Sequence, residues 1–238
     1  MKAILVGDLH LREKAPAGRI DDFAQVQRDK VRQILTIAKE QRVDFILQAG
    51  DFFDYPKQKK DFIYSYVDLF KEFAIPIYCV LGNHDLFSEK TPLYWLKLEK
   101  VITVIEDKIE LDDVVLYGVR PYGEIPQPEN NNVMKKNVLV IHKMIGNEPQ
   151  LLAQNIVSCS QFANQTVNYR LRLVGDYHFR WEHFENGWTI NPGAVVRLRR
   201  TKWDMMLEPS VVLWSSETEE ITWYKLNFKP YKEVFKDD

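Results

Sequence analysis

KAILVGDLH, residues 2–10, decides the fold: a short apolar run ends at Gly7 and passes directly into Asp8-Leu9-His10. A run of that length, bounded by glycine and charge, suits a buried strand. The arrangement then recurs along the chain. FILQAG (45–50) runs into Asp51, YCVLG (78–82) into Asn83-His84-Asp85, VLVI (138–141) into His142, and RLVG (172–175) into Asp176-Tyr177-His178. Five apolar strands thus deliver Asp, Asn or His at their C-terminal ends. In open α/β sheets that edge is where ligands bind.

The segments between these strands define the architecture. Asp21 and Asp22 precede apolar residues at Val31, Ile34, Leu35 and Ala38, which is helical spacing with Asp21 as the expected N-cap. A second helix is predicted over 61–73, and Thr91-Pro92 opens a third that runs to about residue 99. Beyond residue 100 the texture changes to short strands (VITVIE, DVVLYGV, NVLVIH) and turn-rich pieces, including a loop over 124–132. Asn186-Gly187 between WEHFE and WTI marks a hairpin, and VVLW and ITWYKL are expected to close the sheet. Strand–helix alternation followed by strands predicts two packed sheets with helices outside.

Composition limits the function classes. With 238 residues and 45% hydrophobic side chains the chain can bury a sizeable core, so a folded rather than a disordered chain is expected. A formal net charge of −2 argues against holding nucleic acid by bulk charge, though not against a nuclease whose metals make the phosphate contacts. Of the two cysteines, Cys79 lies in an apolar run and reads as a buried thiol. The opening apolar stretch is too short for a secretory signal or a membrane span, so a cytoplasmic protein is expected.

Four of the five histidines, His10, His84, His142 and His178, stand at strand ends; His183 lies within a predicted strand. Each motif taken singly has an ordinary reading as a turn, a cap or a core histidine. Together they form a set of carboxylates and imidazoles without a thiolate, which suits Mn²⁺, Fe²⁺, Zn²⁺ or Mg²⁺. Such a set can hold two ions roughly 3.5–4 Å apart, which clamp a phosphate and acidify a water.

The series Asp8-x-His10, Gly50-Asp51, Gly82-Asn83-His84-Asp85, His142 and Gly175-Asp176-Tyr177-His178 resembles the calcineurin-like metallophosphoesterases over residues 1 to about 200. VGDLHL, AGDFFD and the Asn191-Pro192-Gly193-Ala194 stretch are most similar to the SbcD type, the nuclease subunits of double-strand-break repair complexes. The resemblance implies an α/β fold, a four-layer α/β/β/α sandwich with two mixed β-sheets flanked by helices. It implies that Asp8, His10 and His178 hold one metal, Asn83, His142 and Asp176 the other, and that Asp51 bridges them. His84 would stabilise charge on the phosphate and protonate the leaving oxygen, with Asp85 orienting it. Two divalent ions, Mn²⁺ first and Mg²⁺ second, are implied as cofactors. The activity implied is DNA exo- or endonucleolytic hydrolysis in repair and recombination, beside an SbcC-like ATPase. A phosphodiesterase or phosphatase of small molecules fits the core motifs equally, and a non-catalytic DNA- or partner-binding subunit is the third reading.

Outside the motifs, Arg197, Arg199, Arg200 and Lys202 form a basic run that could follow a DNA backbone, with Trp203 beside it; Lys57, Lys59 and Lys60 are further candidates. Family dimers form through helices in the region of 61–73 and 92–99. Those helices carry Phe62, Tyr64, Tyr66, Phe70, Phe73, Tyr94 and Trp95, so a homodimer stands beside core packing as an explanation. There is no Walker-type phosphate loop, so ATP-driven work would belong to a partner. SbcD-type chains usually continue into a capping domain; a single nuclease domain over 1–238, with that cap absent or truncated, is the expectation.

One departure from the family pattern carries a prediction. Asp176 stands where the family has His, so Asp8, Asp51 and Asp176 set three negative charges against four positive ones. Two alternatives follow: a second centre biased toward Mn²⁺ or Mg²⁺ over Zn²⁺, or one that has decayed. On the first, Asp176→His raises zinc affinity in a competitive metal titration; an unchanged metal preference contradicts it.

Overall fold

The computed structural model describes residues 1–85, 91–128, 135–146 and 156–236. Two six-stranded mixed sheets face each other. The first has the order β12-β11-β1-β2-β3-β4, the second β5-β6-β7-β8-β10-β9. Their strands are β1 Lys2–Val6, β2 Phe45–Gln48, β3 Ile77–Cys79, β4 Thr103–Val104, β5 Lys108–Glu110, β6 Val114–Val119, β7 Lys136–His142, β8 Leu171–Gly175, β9 Trp181–Phe184, β10 Trp188–Asn191, β11 Ser210–Ser215 and β12 Ile221–Lys225. Helices α1 (Phe23–Glu40), α2 (Lys60–Phe73) and α3 (Pro92–Leu98) follow strands of the first sheet, and α4 (Cys159–Gln165) lies between β7 and β8; a short α5 (Lys202–Met206) precedes β11.

Strand alternation sorts the core into three layers. Ala3 and Leu5 of β1 meet Leu116, Val138, Val140 and Leu173 between the sheets, around the fully buried Trp214. Ile4 and Val6 point the other way, onto Val31, Ile34, Leu35 and the apolar face of α2. Val115, Tyr117, Leu139 and Ile141 cover the second sheet's outer face with Phe162 of α4. This is the expected four-layer α/β/β/α sandwich.

Several local expectations need adjusting. The cap of α1 is Asp22, whose side chain accepts from Gln25 N, while Asp21 is bound instead by Arg19. Of VITVIE only Thr103–Val104 pairs, as the edge strand of the first sheet, and β5 was not anticipated. β11 and β12 do close a sheet, but it is the first: β11 runs antiparallel beside β1. The Asn186-Gly187 hairpin forms with Phe184 opposite Trp188. The expected loop shows no regular structure over 124–128, and its residues 129–132 lie outside the described residues.

Most of the aromatic stripe is core. Tyr66 and Phe70 are buried, Phe62, Phe73 and Trp95 pack against the same cluster, and Tyr64 and Tyr94 are exposed. Among the described residues no helix is long and apolar enough to cross a membrane.

Candidate dinuclear metal centre

The strands β1, β2 and β3 are mutually parallel, as are β7 and β8. Their C-terminal ends converge on one edge of the sandwich, which places the polar ends of five strands in one cleft. Backbone hydrogen bonds lock the loops together: Leu9 and His10 N–H donate to Asp51 O at 3.2 and 2.9 Å, and Val195 N–H donates to Asp8 O at 3.1 Å. Buried Gln48 ties the two loops a second time, with Nε2 donating to Gly7 O at 3.1 Å and Oε1 accepting from Gly50 N at 3.0 Å. His10, Asp51 and Asp176 all adopt positive φ (45°, 51° and 78°), a conformation uncommon for residues other than glycine though more accessible to Asp and His than to most.

Glycine is required where the loops touch. A Cβ at Gly82 would lie 2.0 Å from Asp51 Oδ1, and one at Gly175 would lie 2.8 Å from both Asp8 Oδ1 and His142 Nδ1. At Gly50, Gly82 and Gly175 the space a side chain would need is taken by a ligand from a neighbouring strand end.

Asp51 sits at the middle. Its Oδ1 accepts the His84 backbone N–H at 2.9 Å. Its Oδ2 lies 3.7 Å from His10 Nε2 on one side and 3.3 Å from His142 Nε2 on the other. On the first side His10 Nε2 and His178 Nε2 approach to 3.1 Å, and His178 Nε2 is 3.6 Å from Asp8 Oδ2. On the second, His142 Nε2 is 2.9 Å from Asn83 Oδ1 and 3.8 Å from Asp176 Oδ1. All the expected ligands are thus in one cluster, in two groups that share Asp51.

The donor set fits divalent cations. Ligand atoms each about 2.1 Å from an ion stand roughly 3–3.5 Å apart, close to the spacings here. Asp8 Oδ2 is buried with no hydrogen-bond partner, an arrangement that costs free energy unless a cation takes it up. His142 donates Nδ1–H to Ala49 O at 2.9 Å, which aims Nε2 into the cluster as a ligand atom.

Electrostatics point the same way. Burial raises the Asp8 and Asp176 carboxyls, and pushes the His178 imidazole down to about 3, with the His10 and Arg199 charges adding to it. For His142 burial is outweighed by its hydrogen bond to Asp51 and by the Asp8, Asp51 and Asp176 charges, which lift it to about 10. His10 is likewise raised against burial, first by Asp54.

The structure reassigns the support of His84. Asp85 is buried and its carboxylate accepts the backbone N–H groups of Gly82, Phe52 and Phe53 at 3.0–3.4 Å. It fixes the loop rather than orienting the imidazole. That task falls to Asp54: its carbonyl accepts from His84 Nδ1 at 2.7 Å, and its Oδ1 lies 3.5 Å from the same nitrogen. Asp54 also faces His10 Nδ1 at 3.3 Å and Arg12 at 2.8 Å. The sequence signal was present in AGDFFD, where Asp54 follows Asp51 by three residues across the buried Phe52 and Phe53.

The basic run divides. Arg197 is buried, donating to Lys229 O at 2.7 Å and Leu207 O at 3.0 Å, so it is removed from any DNA surface. Arg199, Arg200 and Lys202 are exposed. Lys59 pairs with Glu13 and Lys60 lies 4.8 Å over Trp95, while Lys57 is exposed. His183 bonds Glu185 on β9, outside the cluster.

A family model described as calcineurin-like phosphoesterase matches residues 1–198. The chain belongs to the calcineurin-like phosphoesterases. Members of this family are metal-dependent phosphoesterases that use two divalent ions. Among curated relatives of this calcineurin-like chain, the DNA double-strand break repair protein Mre11 of Sulfolobus acidocaldarius is 22% identical over 228 residues, 89% of this chain and 56% of that protein. The chain therefore spans about half the length of that relative. Among solved structures, an archaeal phosphodiesterase (TM-score 0.52, 17% identity, covering 95% of this chain and 100% of that one) shares the fold. So does a dimetal phosphatase from Danio rerio (TM-score 0.59, 10% identity, 94% and 95%).

Metal binding at this calcineurin-like centre is expected to be proton-linked. With its imidazole raised to about 10, metal-free His142 carries a proton at pH 7 that a cation on Nε2 must expel. Mn²⁺ affinity accordingly rises with pH through the neutral range. Calorimetry in buffers of different ionisation enthalpy should record proton release on binding; uptake without release contradicts this assignment.

Proposed function

We propose that the chain is a Mn²⁺-dependent DNA nuclease of the SbcD type, hydrolysing phosphodiester bonds in DNA repair and recombination. The observation that carries the reading is Asp51 Oδ2, set between two donor groups with the half-exposed His84 ring beside it, Nε2 3.9 Å away. Bound there, two divalent ions would neutralise phosphoryl charge and make water a competent nucleophile near neutral pH.

The chain's own residues supply the rest. His84 donates Nδ1–H to Asp54 O, which leaves Nε2 directed at the cleft. Held by Asp54, the ring stabilises charge on the phosphate and passes a proton from Nε2 to the leaving oxygen. The oxygen-rich second group, with Asn83 and Asp176 beside His142, favours Mn²⁺ or Mg²⁺.

Three features support DNA as substrate. The likeness to the repair protein covers 89% of the chain. Exposed Arg199, Arg200 and Lys202 follow directly on the segment that binds the Asp8 and His178 carbonyls. Exposed Trp203 lies edge-on to Phe179, the neighbour of His178, and offers a face for stacking. By the same likeness an SbcC-like ATPase would be the partner. Exposed Tyr64, Tyr94 and Leu98 on α2 and α3 give a homodimer a surface, and an intracellular location follows from the substrate.

The test is digestion of linear DNA with Mn²⁺, wild type beside His84→Ser, with nucleotide phosphoesters assayed in parallel. The expected result is Mn²⁺-dependent degradation that falls roughly hundredfold or more in the variant while metal binding persists. Hydrolysis of the small esters without DNA cleavage, even with an ATPase partner added, would turn the reading to a small-molecule phosphodiesterase.

A further inference from the structure

A cavity of about 830 Å³ opens between α1 and the chain that follows β12, separate from the metal ligands. Six cations line it: Arg32 and Lys225 pair with Glu72 and Glu208 and Lys229 is exposed, while Arg19, Lys30 and Arg197 form the inner group. All three side chains are buried, Lys30 and Arg197 at 4% and 6% exposure and the Arg19 side chain at 2%. Asp21 neutralises Arg19 through a two-pronged pair. Buried Asp204 lies near Arg197, but its carboxylate is committed to the Leu198 and Arg199 N–H groups and the Thr201 hydroxyl. The exposed Asp29 on the rim is bound by Gln25.

The hydrogen bonds leave donors over. Lys30 Nζ reaches the Asn227 carbonyl, one acceptor for three N–H bonds. Arg197 uses its two terminal nitrogens on backbone carbonyls, but its buried Nε has no partner. The Lys30 ammonium is pushed down to about 8, first by burial and then by the Arg197 and Arg19 charges. Buried cations without matching anions are unfavourable unless something compensates them. Phe228 lies under this group, 4.8 Å from Arg197 and 5.7 Å from Lys30, with Tyr224 on the same wall.

We infer that this cavity is a second ligand site, for a phosphate monoester whose phosphate takes the spare N–H bonds of Lys30 Nζ in the field of the Arg19 and Arg197 charges and whose organic part rests against Phe228 and Tyr224. The volume is ample for a mononucleotide, within the range of small-ligand pockets. A doubly charged phosphate supplies counter-charge and accepts from the spare N–H bonds of Lys30 Nζ. The site stands independently of the nuclease reading.

The test is calorimetric titration of the full chain with inorganic phosphate and with 2′-deoxyadenosine 5′-monophosphate, in Mn²⁺ at pH 7. Asp51→Asn removes the shared ligand of the metal centre and isolates the cavity. Expected are one site retained in Asp51→Asn, tighter for the nucleotide than for phosphate, and affinity lower by roughly tenfold to a hundredfold in Lys30→Met. Lys30→Gln, which keeps a donor for the Asn227 carbonyl, repeats the comparison should Lys30→Met fold poorly. Wild-type affinity in the folded lysine variants overturns the inference. So does binding that disappears in Asp51→Asn, or none in the wild type at millimolar ligand.

Discussion

The two oxygens of the Asp51 carboxylate have different duties, and the arrangement of the cleft depends on that division. Oδ1 is held by the His84 backbone N–H, which fixes the rotation of the carboxylate. Oδ2 is then left facing His10 on one side and His142 on the other. Rotation of the carboxylate would break both relations at once. The contact with Gly82 prevents it, since the loop carrying Asn83 and His84 passes so close that no side chain fits there.

The sandwich makes this geometry possible at a cost the packing absorbs. Three carboxylates and several imidazoles cannot be brought together in low dielectric without cations or protons between them. Positive φ at His10, Asp51 and Asp176 adds strain at the same edge. Holding it in place are the parallel strands with their Ala3, Leu5, Val138, Val140 and Leu173 core, and the Asn191-Pro192-Gly193 turn, whose following residues bond the Asp8 and His178 carbonyls. The core supplies rigidity, and the centre uses it to keep charges where they would otherwise separate.

Much of this was legible in the sequence, for a physical reason. Buried parallel strands are nearly continuous apolar runs, so a polar residue immediately after one is easy to see, and five such endings identify both the sheet edge and the ligands on it. What sequence could not assign was the direction of side chains within a loop. Asp85 adjoins His84 in the chain but turns inward to three backbone N–H groups, whereas Asp54, thirty residues away, reaches the imidazole. Arg197 shows the same limit: it sits in a basic run, yet its side chain points inward while Arg199 and Arg200 point outward. The cap of α1 was misplaced by one residue because Asp21 is engaged by Arg19, a contact that spacing does not reveal. The edge strand β5, only three residues long, carries too little pattern to be read.

The most direct test of the shared carboxylate is electron paramagnetic resonance of the Mn²⁺-loaded chain, with metal content measured on the same sample. Two ions bridged by Asp51 should give about two Mn²⁺ per chain and the exchange-coupled spectrum of a close pair, with coupling lost in Asp51→Asn. One Mn²⁺ per chain with the six-line signal of an isolated ion, unchanged by that substitution, would contradict a dinuclear centre built on Asp51.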